Sequence, residues 1–473
     1  MISVYDTRAG AERPFEPVTP GVVGIYVCGI TPYAEPHLGH ARPAVVWDVI
    51  RRHLERRGYL VTLVQNFTDV DDRIIERAGR EGVSAAAVAA RYAEAYWQAV
   101  LRLGVRPPDY MPRATGNIPA IVDLIRRLVD KGYAYQAGSD VYFRVRKFPA
   151  YGALSHRDPD EMRTGARVEP NPLKEDPLDF ALWKGARPGE PAWDSPFGPG
   201  RPGWHIECSA MAWRFLGPVV DLHGGGVDLI FPHHENEIAQ SEAALDTQPH
   251  VRYWVHNGLV TTDGVKMSKS LDNGMDLARL LDEFGPAVVR GYLLSVHYRT
   301  PLDFSLAALD DFRRAFARVA RLWEAVADAP PGAEPPGGPE GRILEEFPGR
   351  LLSALDRDFN TAAAWAAVFD MIRAANALLR AGGPTAAAAA GLARRNLVEA
   401  DRALGLLLAG AVEVARPTTP AVPPEVMALV AERDRARAAR DWPRADALRE
   451  EIGRRGWRVE DTPSGPVVRR ADA

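Results

Sequence analysis

Cysteine is nearly missing from this 473-residue chain: only Cys28 and Cys208 occur, far apart in sequence. A secreted scaffold would carry a denser, even set, so no structural disulfide is expected. An excess of one charge is missing too. Lys plus Arg number 58 against 62 Asp plus Glu, a net charge of −4. That excludes wholesale electrostatic wrapping of nucleic acid and leaves room for a local basic groove. No apolar run reads as long enough to span a bilayer, and residues 1–20 lack a basic-then-apolar signal pattern. The expectation is a cytoplasmic protein with no membrane partner. Apolar residues are not depleted: 46% hydrophobic and 25% charged is an ordinary folded composition. The length asks for two to four domains.

What is present begins as alternating strands and helices. Val22–Ile30 and Tyr59–Asn66 read as strands, Ala44–Arg57 and Ala85–Leu103 as helices. That succession is the βαβ unit of a doubly wound parallel sheet, whose ligands sit beyond the carboxyl ends of the strands. Residues of about 112–203 read as an insertion, with a helix over Asn117–Lys131 and a Pro-, Asp- and Gly-rich stretch over Asp158–Gly203. From Ser305 the pattern turns helical: Leu306–Ala327, Gly341–Leu355, Thr361–Arg380 and Ala386–Leu408. Linkers are expected at Ala329–Gly341 and Arg416–Pro424. The tail reads as two charged helices and a small hairpin around Pro463–Gly465. The expected fold class is therefore α/β: a doubly wound domain over residues 1–304, a helical bundle over 305–415 and a small mixed α/β domain over 424–473.

Three constellations carry chemistry. Pro36-His37-Leu38-Gly39-His40 lies between a strand and a helix expected near Ala41. Helix N-termini present free N–H groups to a phosphate, Gly39 allows close approach, and two imidazoles can meet growing phosphate charge. Lys266-Met267-Ser268-Lys269-Ser270 follows the turn Asp263-Gly264 and brings two ammonium groups within reach of a triphosphate. Taken singly, each motif reads equally well as a solvated surface loop. The third set is Cys28, Cys208, His233 and Glu237. If Phe231–Glu237 is helical, His233 and Glu237 share a face at i and i+4. Two thiolates, an imidazole and a carboxylate are zinc donors. On spacing alone, scattered core residues remain the alternative.

His37-Leu38-Gly39-His40 together with Lys266–Ser270 resembles the HIGH and KMSKS signature pair of class I aminoacyl-tRNA synthetases, which implies a Rossmann-like catalytic fold that binds ATP. The segments YVCGITPYAEPHLGHARP, FTDVDDRII, GRPGWHIECSAM, DLHGGGVDLIFPHHENEIAQ and DFNTAAAWAAVFDMI are similar, over essentially the whole chain, to cysteinyl-tRNA synthetase.

The resemblance implies that one Zn²⁺ is bound by Cys28, Cys208, His233 and Glu237 and joined by the substrate thiolate. His223, His234 and Glu235 are then outer or structural groups. It also implies His37, His40, Lys266 and Lys269 as catalytic groups acting on ATP with Mg²⁺. Thr68 and Trp204 join Cys28 in a cysteine pocket, while Asp228 and His256 lie near the ATP ribose and adenine. Zinc makes sense of selection against serine, since shape alone gives only ~1–3 kcal/mol, so no editing domain is expected.

Arg433, Arg435, Arg437, Arg440 and Arg444 with Trp442 suit phosphate contact and base stacking; interleaved acidic residues fit a solvated helix almost as well, and it is the resemblance that implies anticodon contact. The expected partners are tRNA(Cys), L-cysteine and ATP, and the chain is expected to be a monomer. Leu271-Asp272-Asn273 departs from the family's usual Leu-Gly-Asn. The rivals are a cysteine:amino-sugar ligase of mycothiol synthesis, against which the long C-terminal extension stands, and a catalytically silent RNA-binding paralogue.

Overall fold

The protein is described by a computed structural model covering residues 1–161, 172–262, 264–266, 275–330, 336–408, 424–439, 441–462 and 465–470. It divides into two compact units, Met1–Leu408 and Ala409–Ala473.

In the first unit the chain enters through β1 (Ser3–Asp6) and β2 (Ala11–Pro14), an antiparallel pair. β3 (Val22–Ile30) then leads to α1 (Leu38–Arg56) and β4 (Leu60–Phe67), followed by α2 (Asp72–Glu81) and α3 (Ala85–Arg102). The insertion holds α4 (Ile118–Asp130) and β5 to β8 (Ala134–Ala137, Asp140–Phe143, Phe180–Gly185, Gly200–Pro202), an antiparallel sheet. Next come α5 (Trp204–Leu216), β9 (Val220–Gly226), α6 (Glu235–Leu245) and β10 (Val251–Asn257). β11 (Val260–Thr262), β12 (Val265–Lys266), α7 (Leu277–Phe284), α8 (Pro286–Leu293) and β13 (Leu302–Asp303) close the α/β part.

The main sheet has the order β10-β9-β3-β4, every neighbouring pair parallel. β3 and β4 are largely apolar because both faces of the sheet are covered. Ile25 and Val27 point to the layer of Trp47, Ile50 and Leu54. Tyr26, on the opposite side of the pleat, joins Ile206 and Ile238 together with Phe143, Leu182 and Trp183 of the insertion. The insertion thus shares one core with the face of the sheet that carries α5 and α6.

Two sequence expectations change. α1 starts at Leu38, three residues before the expected Ala41, because His37 takes the N-cap and its ring accepts from the Gly39 N–H. Pro43 consequently lies inside the helix, beyond the first position where its missing N–H costs nothing. The helices α9 (Leu306–Val326), α10 (Gly338–Asp356), α11 (Thr361–Ala381) and α12 (Gly383–Leu404) form the expected bundle. Among them α11 is long and apolar enough to cross a membrane by length and composition, contrary to the reading that no run is. In this fold 44% of its apolar window is buried, with Val368, Met371 and Ile372 in the core. α12 stops at Leu404, before the expected Leu408, where Gly405 adopts φ +67°.

The second unit pairs α13 (Pro424–Ala438) with α14 (Trp442–Arg454) and the hairpin β14 (Trp457–Thr462) and β15 (Gly465–Arg470). Val426, Val430, Ile452, Trp457 and Val459 form its core. Arg433, read as a phosphate contact, is instead 1% exposed and reaches Asp434. Trp442 stands 54% exposed, and Arg444 is paired with Glu432. Arg440 lies outside the described residues.

Candidate active site and metal centre

β3 ends with Cys28 half-buried, and α5 brings the buried Cys208 to a Sγ–Sγ distance of 3.7 Å. Three other groups converge on Cys28 Sγ from the segment after β9: His233 Nε2 at 3.5 Å, His234 Nε2 at 3.3 Å and Glu237 Oε1 at 3.3 Å. His223, on β9 itself, approaches to 3.6 Å. His233 and Glu237 face each other at 2.9 Å in the i, i+4 relation expected. Ligand atoms of Cys28, His233, His234 and Glu237 lie within 4.8 Å of one another. His234 is therefore as close to the thiol as His233, although the sequence reading set it in an outer layer.

The cluster is built as cation ligands are. Burial pushes the Cys28 thiol and the Glu237 carboxyl well up, since a desolvated anion is costly without a counter-charge. Burial also drives His223 and His234 far down, leaving neutral imidazoles, the form that ligates metal. Glu237 Oε2 is buried with no hydrogen bond. Two thiols, neutral imidazoles and an orphaned carboxylate oxygen fit zinc and do not fit a magnesium or calcium cage.

An outer layer holds these rings. His205 Nδ1 lies 2.8 Å from His233 Nδ1, and Trp204 stacks on His233 with centroids 4.2 Å apart. His256 Nε2 lies 2.7 Å from His234 Nδ1, and its Nδ1 lies 2.8 Å from Thr7 Oγ1. His256 thus touches the cluster through the His234 ring. Glu235 turns away, accepting from the N–H groups of Gly152 and Ser155. Thr68 is buried, 3.5 Å from Asn66 Nδ2, and Asn66 Oδ1 fixes the Gly29 N–H at 2.9 Å. Sequence reasoning missed His205 and Asn66. His205 had a signal, since it sits three residues before Cys208 on a helix, whereas Asn66 had none.

The second centre is the α1 turn. His37 Nδ1 accepts from the Gly39 N–H at 3.1 Å, and His40 Nδ1 accepts from the His37 N–H at 3.2 Å. Both rings are thereby fixed as Nε2–H tautomers, with centroids 4.0 Å apart. A Cβ on Gly39 would meet the His37 ring at 2.8 Å, so the glycine is what lets that ring fold back. The backbone of His37 bridges that of Asp276. Lys266 closes β12, while Lys269 and Leu271–Asn273 lie outside the described residues. Asp228 follows the glycines of β9 on an exposed turn. Beside Trp204 and His205 a cleft of about 600 Å³ is also lined by Asp72, Tyr142, Lys184 and Arg201.

A family profile described as "tRNA synthetases class I (C) catalytic domain" matches residues 14–314. A "DALR domain" matches 351–409, and a "Cysteinyl-tRNA ligase anticodon binding domain" matches 419–469. The chain belongs to the cysteinyl-tRNA synthetase family. It is 47% identical over 479 residues to a protein of Symbiobacterium thermophilum named "Cysteine–tRNA ligase", covering 99% of this chain and 100% of that one. To the protein of the same name from Pelobacter propionicus it is 44% identical over 486 residues, 98% of each chain. Among solved structures, Mycobacterium tuberculosis methionyl-tRNA synthetase in complex with methionyl-adenylate superposes with a TM-score of 0.63. Identity there is 17%, over 83% of this chain and 93% of the other, which speaks for the class I fold alone. Members of the family are ATP-dependent aminoacyl-tRNA ligases.

Proposed function

We propose that this chain activates L-cysteine with ATP and transfers it to the 3′ end of tRNA(Cys), using one zinc ion to select the thiol. The observation that carries this reading is the convergence of the Cys208 thiol, the His233 and His234 imidazoles and Glu237 Oε1 on Cys28 Sγ, with Glu237 Oε2 buried and unbonded beside them. Cys28, Cys208, His233 and Glu237 would hold the ion, with His234 close enough to take part. When bound, zinc supplies a Lewis-acidic partner for a substrate thiolate, which a serine hydroxyl cannot match.

In the first step a carboxylate oxygen of cysteine attacks the α-phosphorus of ATP, and pyrophosphate leaves with the electrons of the broken P–O bond. His37 and His40, held as Nε2–H donors, stabilise charge developing on the phosphate oxygens, and Lys266 and Lys269 complete that environment. Mg²⁺ would accompany the nucleotide. In the second step a ribose hydroxyl of the tRNA 3′ end attacks the acyl carbon, and AMP leaves. Positioning and preorganised charge supply the acceleration with no covalent enzyme intermediate. Thr68 and Trp204 border the amino acid, and Asp228 and His256 belong to the nucleotide side. The domain over residues 1–304 performs the chemistry, while 305–415 and 424–473 contact tRNA, with Trp442 available for stacking. The chain works in the cytoplasm as a monomer.

The test is ATP-dependent charging of total tRNA with labelled cysteine, with serine in parallel and a chelator-stripped sample alongside. Charging with cysteine but not serine, lost with the metal and restored by zinc, is the expected result. Cysteine-dependent pyrophosphate exchange without charged tRNA would overturn the tRNA assignment, and exchange indifferent to zinc would overturn the selection mechanism.

A further inference from the structure

Arg42, two residues beyond His40 on α1, is 0% exposed, and its hydrogen bonds all run to backbone carbonyls. Nη1 donates to Gly258 O at 2.9 Å and Leu259 O at 3.0 Å. Nη2 donates to Thr300 O, with His297 O and Tyr298 O at 3.3 and 3.4 Å. A buried guanidinium with carbonyls for partners is an expensive element, and fold stability alone does not require it where an apolar side chain would pack. What it joins is informative. Gly258 and Leu259 open the β11–β12 hairpin that ends in Lys266, and Thr300 leads into β13, to which β11 is paired. A Cβ on Gly258 would meet the Thr300 backbone at 2.6 Å, so these two segments touch under the guanidinium.

The far end of the same excursion is tied to the same helix start. The Leu277 N–H donates to Pro36 O at 3.3 Å, and Asp276 bridges His37. Asp303 Oδ1 adds a brace inside the hairpin, accepting from Thr261 Oγ1 at 2.7 Å and Gly264 N–H at 3.1 Å.

We infer that Arg42 is a positioning residue that fixes the base of the Lys266 hairpin to the helix carrying His37 and His40, so that Lys266 keeps a set separation from those two rings. Its catalytic consequence rests on the function proposed above; its mechanical part does not. Arginine suits the task because its planar fork reaches several carbonyls at once, whereas a lysine ammonium keeps the charge and loses the fork.

Arg42→Lys separates the two parts. Amide hydrogen exchange read by mass spectrometry should quicken by about tenfold or more in the peptide Leu259–Lys266, while β9 and β10 stay as in the parent. In cysteine-dependent pyrophosphate exchange, normalised to titrated active sites, kcat should fall by roughly tenfold to a hundredfold with KM for cysteine unchanged. Leu277→Pro offers a second variant in case the first folds poorly. It removes one amide donor at a helix N1 position, where Asp276 already has φ −58° and ψ 123°, a conformation that precedes proline readily. Its kcat should fall below that of Leu277→Ala, which keeps the amide and loses more side chain. Unchanged exchange of Leu259–Lys266 in Arg42→Lys would overturn the inference, as would a parallel loss in kcat and cysteine affinity, or equal kcat in the two Leu277 variants. A parent enzyme with no cysteine-dependent exchange would sink the functional reading, while the hydrogen-exchange arm would still decide what Arg42 holds.

Discussion

Two regions of the catalytic unit bury ionisable groups to the same depth and treat them oppositely. On α1, Asp48 accepts from Arg290 Nη2 at 2.5 Å, Arg52 Nε at 2.7 Å and the Arg106 N–H at 3.1 Å. Arg290 also donates to Leu103 O and Leu404 O. Burial opposes the Asp48 charge, yet the Arg290 and Arg52 guanidinium groups outweigh it and hold the carboxyl below its usual range. In the Cys28 cluster no such counter-charge stands among the described residues, and burial lifts the thiol and the Glu237 carboxyl instead. The paired region joins α1, α8 and α12 and sets each of its central charges, Asp48 and Arg290, against an opposite one. The cluster has the donor atoms a cation would need and no neighbouring counter-charge among the described residues, a pattern more typical of sites than of braces.

The largest way to break this contrast is at the cluster. Glu237→Gln removes an anionic donor while keeping shape, so bound zinc should be lost and cysteine activation should fall by more than the ~10–100-fold typical of outer-layer changes. Metal analysis of the purified variant beside pyrophosphate exchange checks both. A variant with full zinc content would show that Glu237 is not a ligand.

At the paired region the same chemistry should act on stability. Asp48→Asn leaves the Arg290 charge buried without its carboxylate, which costs about 3–5 kcal/mol. Urea unfolding should show the midpoint falling with the slope unchanged, and zinc content should stay that of the parent. A drop below about 1 kcal/mol would mean that the carbonyl partners of Arg290 suffice.

The difference between the regions also explains what the sequence could disclose. Short apolar, β-branched runs announced β3 and β4, and the i, i+4 spacing of His233 and Glu237 announced their shared face, because both are local patterns. The signature residues were legible through resemblance rather than through spacing, since Cys28 and Cys208 are 180 positions apart in sequence. The start of α1 was misjudged because a histidine N-cap is not among the usual capping residues. Arg433 looked like a solvated basic residue until the α13–α14 packing buried it. Arg42 and Asn66 were invisible, since a bond from a side chain to a distant backbone leaves no pattern in composition or period.

Between cluster and brace lies the outer layer, where the expected effects are intermediate. His205→Phe keeps a ring beside Trp204 and removes the nitrogen 2.8 Å from His233 Nδ1. Zinc affinity, measured by competition with a chromogenic chelator, should weaken roughly 10–100-fold with thermal stability of the protein little changed. Unaltered affinity would assign the orientation of His233 to Trp204 stacking alone.

The smallest effect separates the regions by pH. His53 on α1 is fully buried, with Nε2 2.9 Å from Asp356 Oδ1, and burial pushes it down to about 4 despite that carboxylate. In the unfolded chain a histidine titrates near ~6.5. Between those values the unfolded state holds a proton that the folded state does not, so stability is full above about pH 6.5 and falls as pH drops toward 4. At pH 5 the loss should be about 2 kcal/mol, from a slope near 1.4 kcal/mol per pH unit. Asp356, itself held low once Arg57 and His53 outweigh its burial, adds a further loss only at more acidic pH, in the same direction. Urea midpoints of the parent at pH 7 and pH 5, set against those of His53→Gln, isolate the imidazole. The variant keeps a donor for Asp356 and should lose the pH 5 penalty. An equal penalty in both proteins would move the acid sensitivity away from this brace and onto other groups.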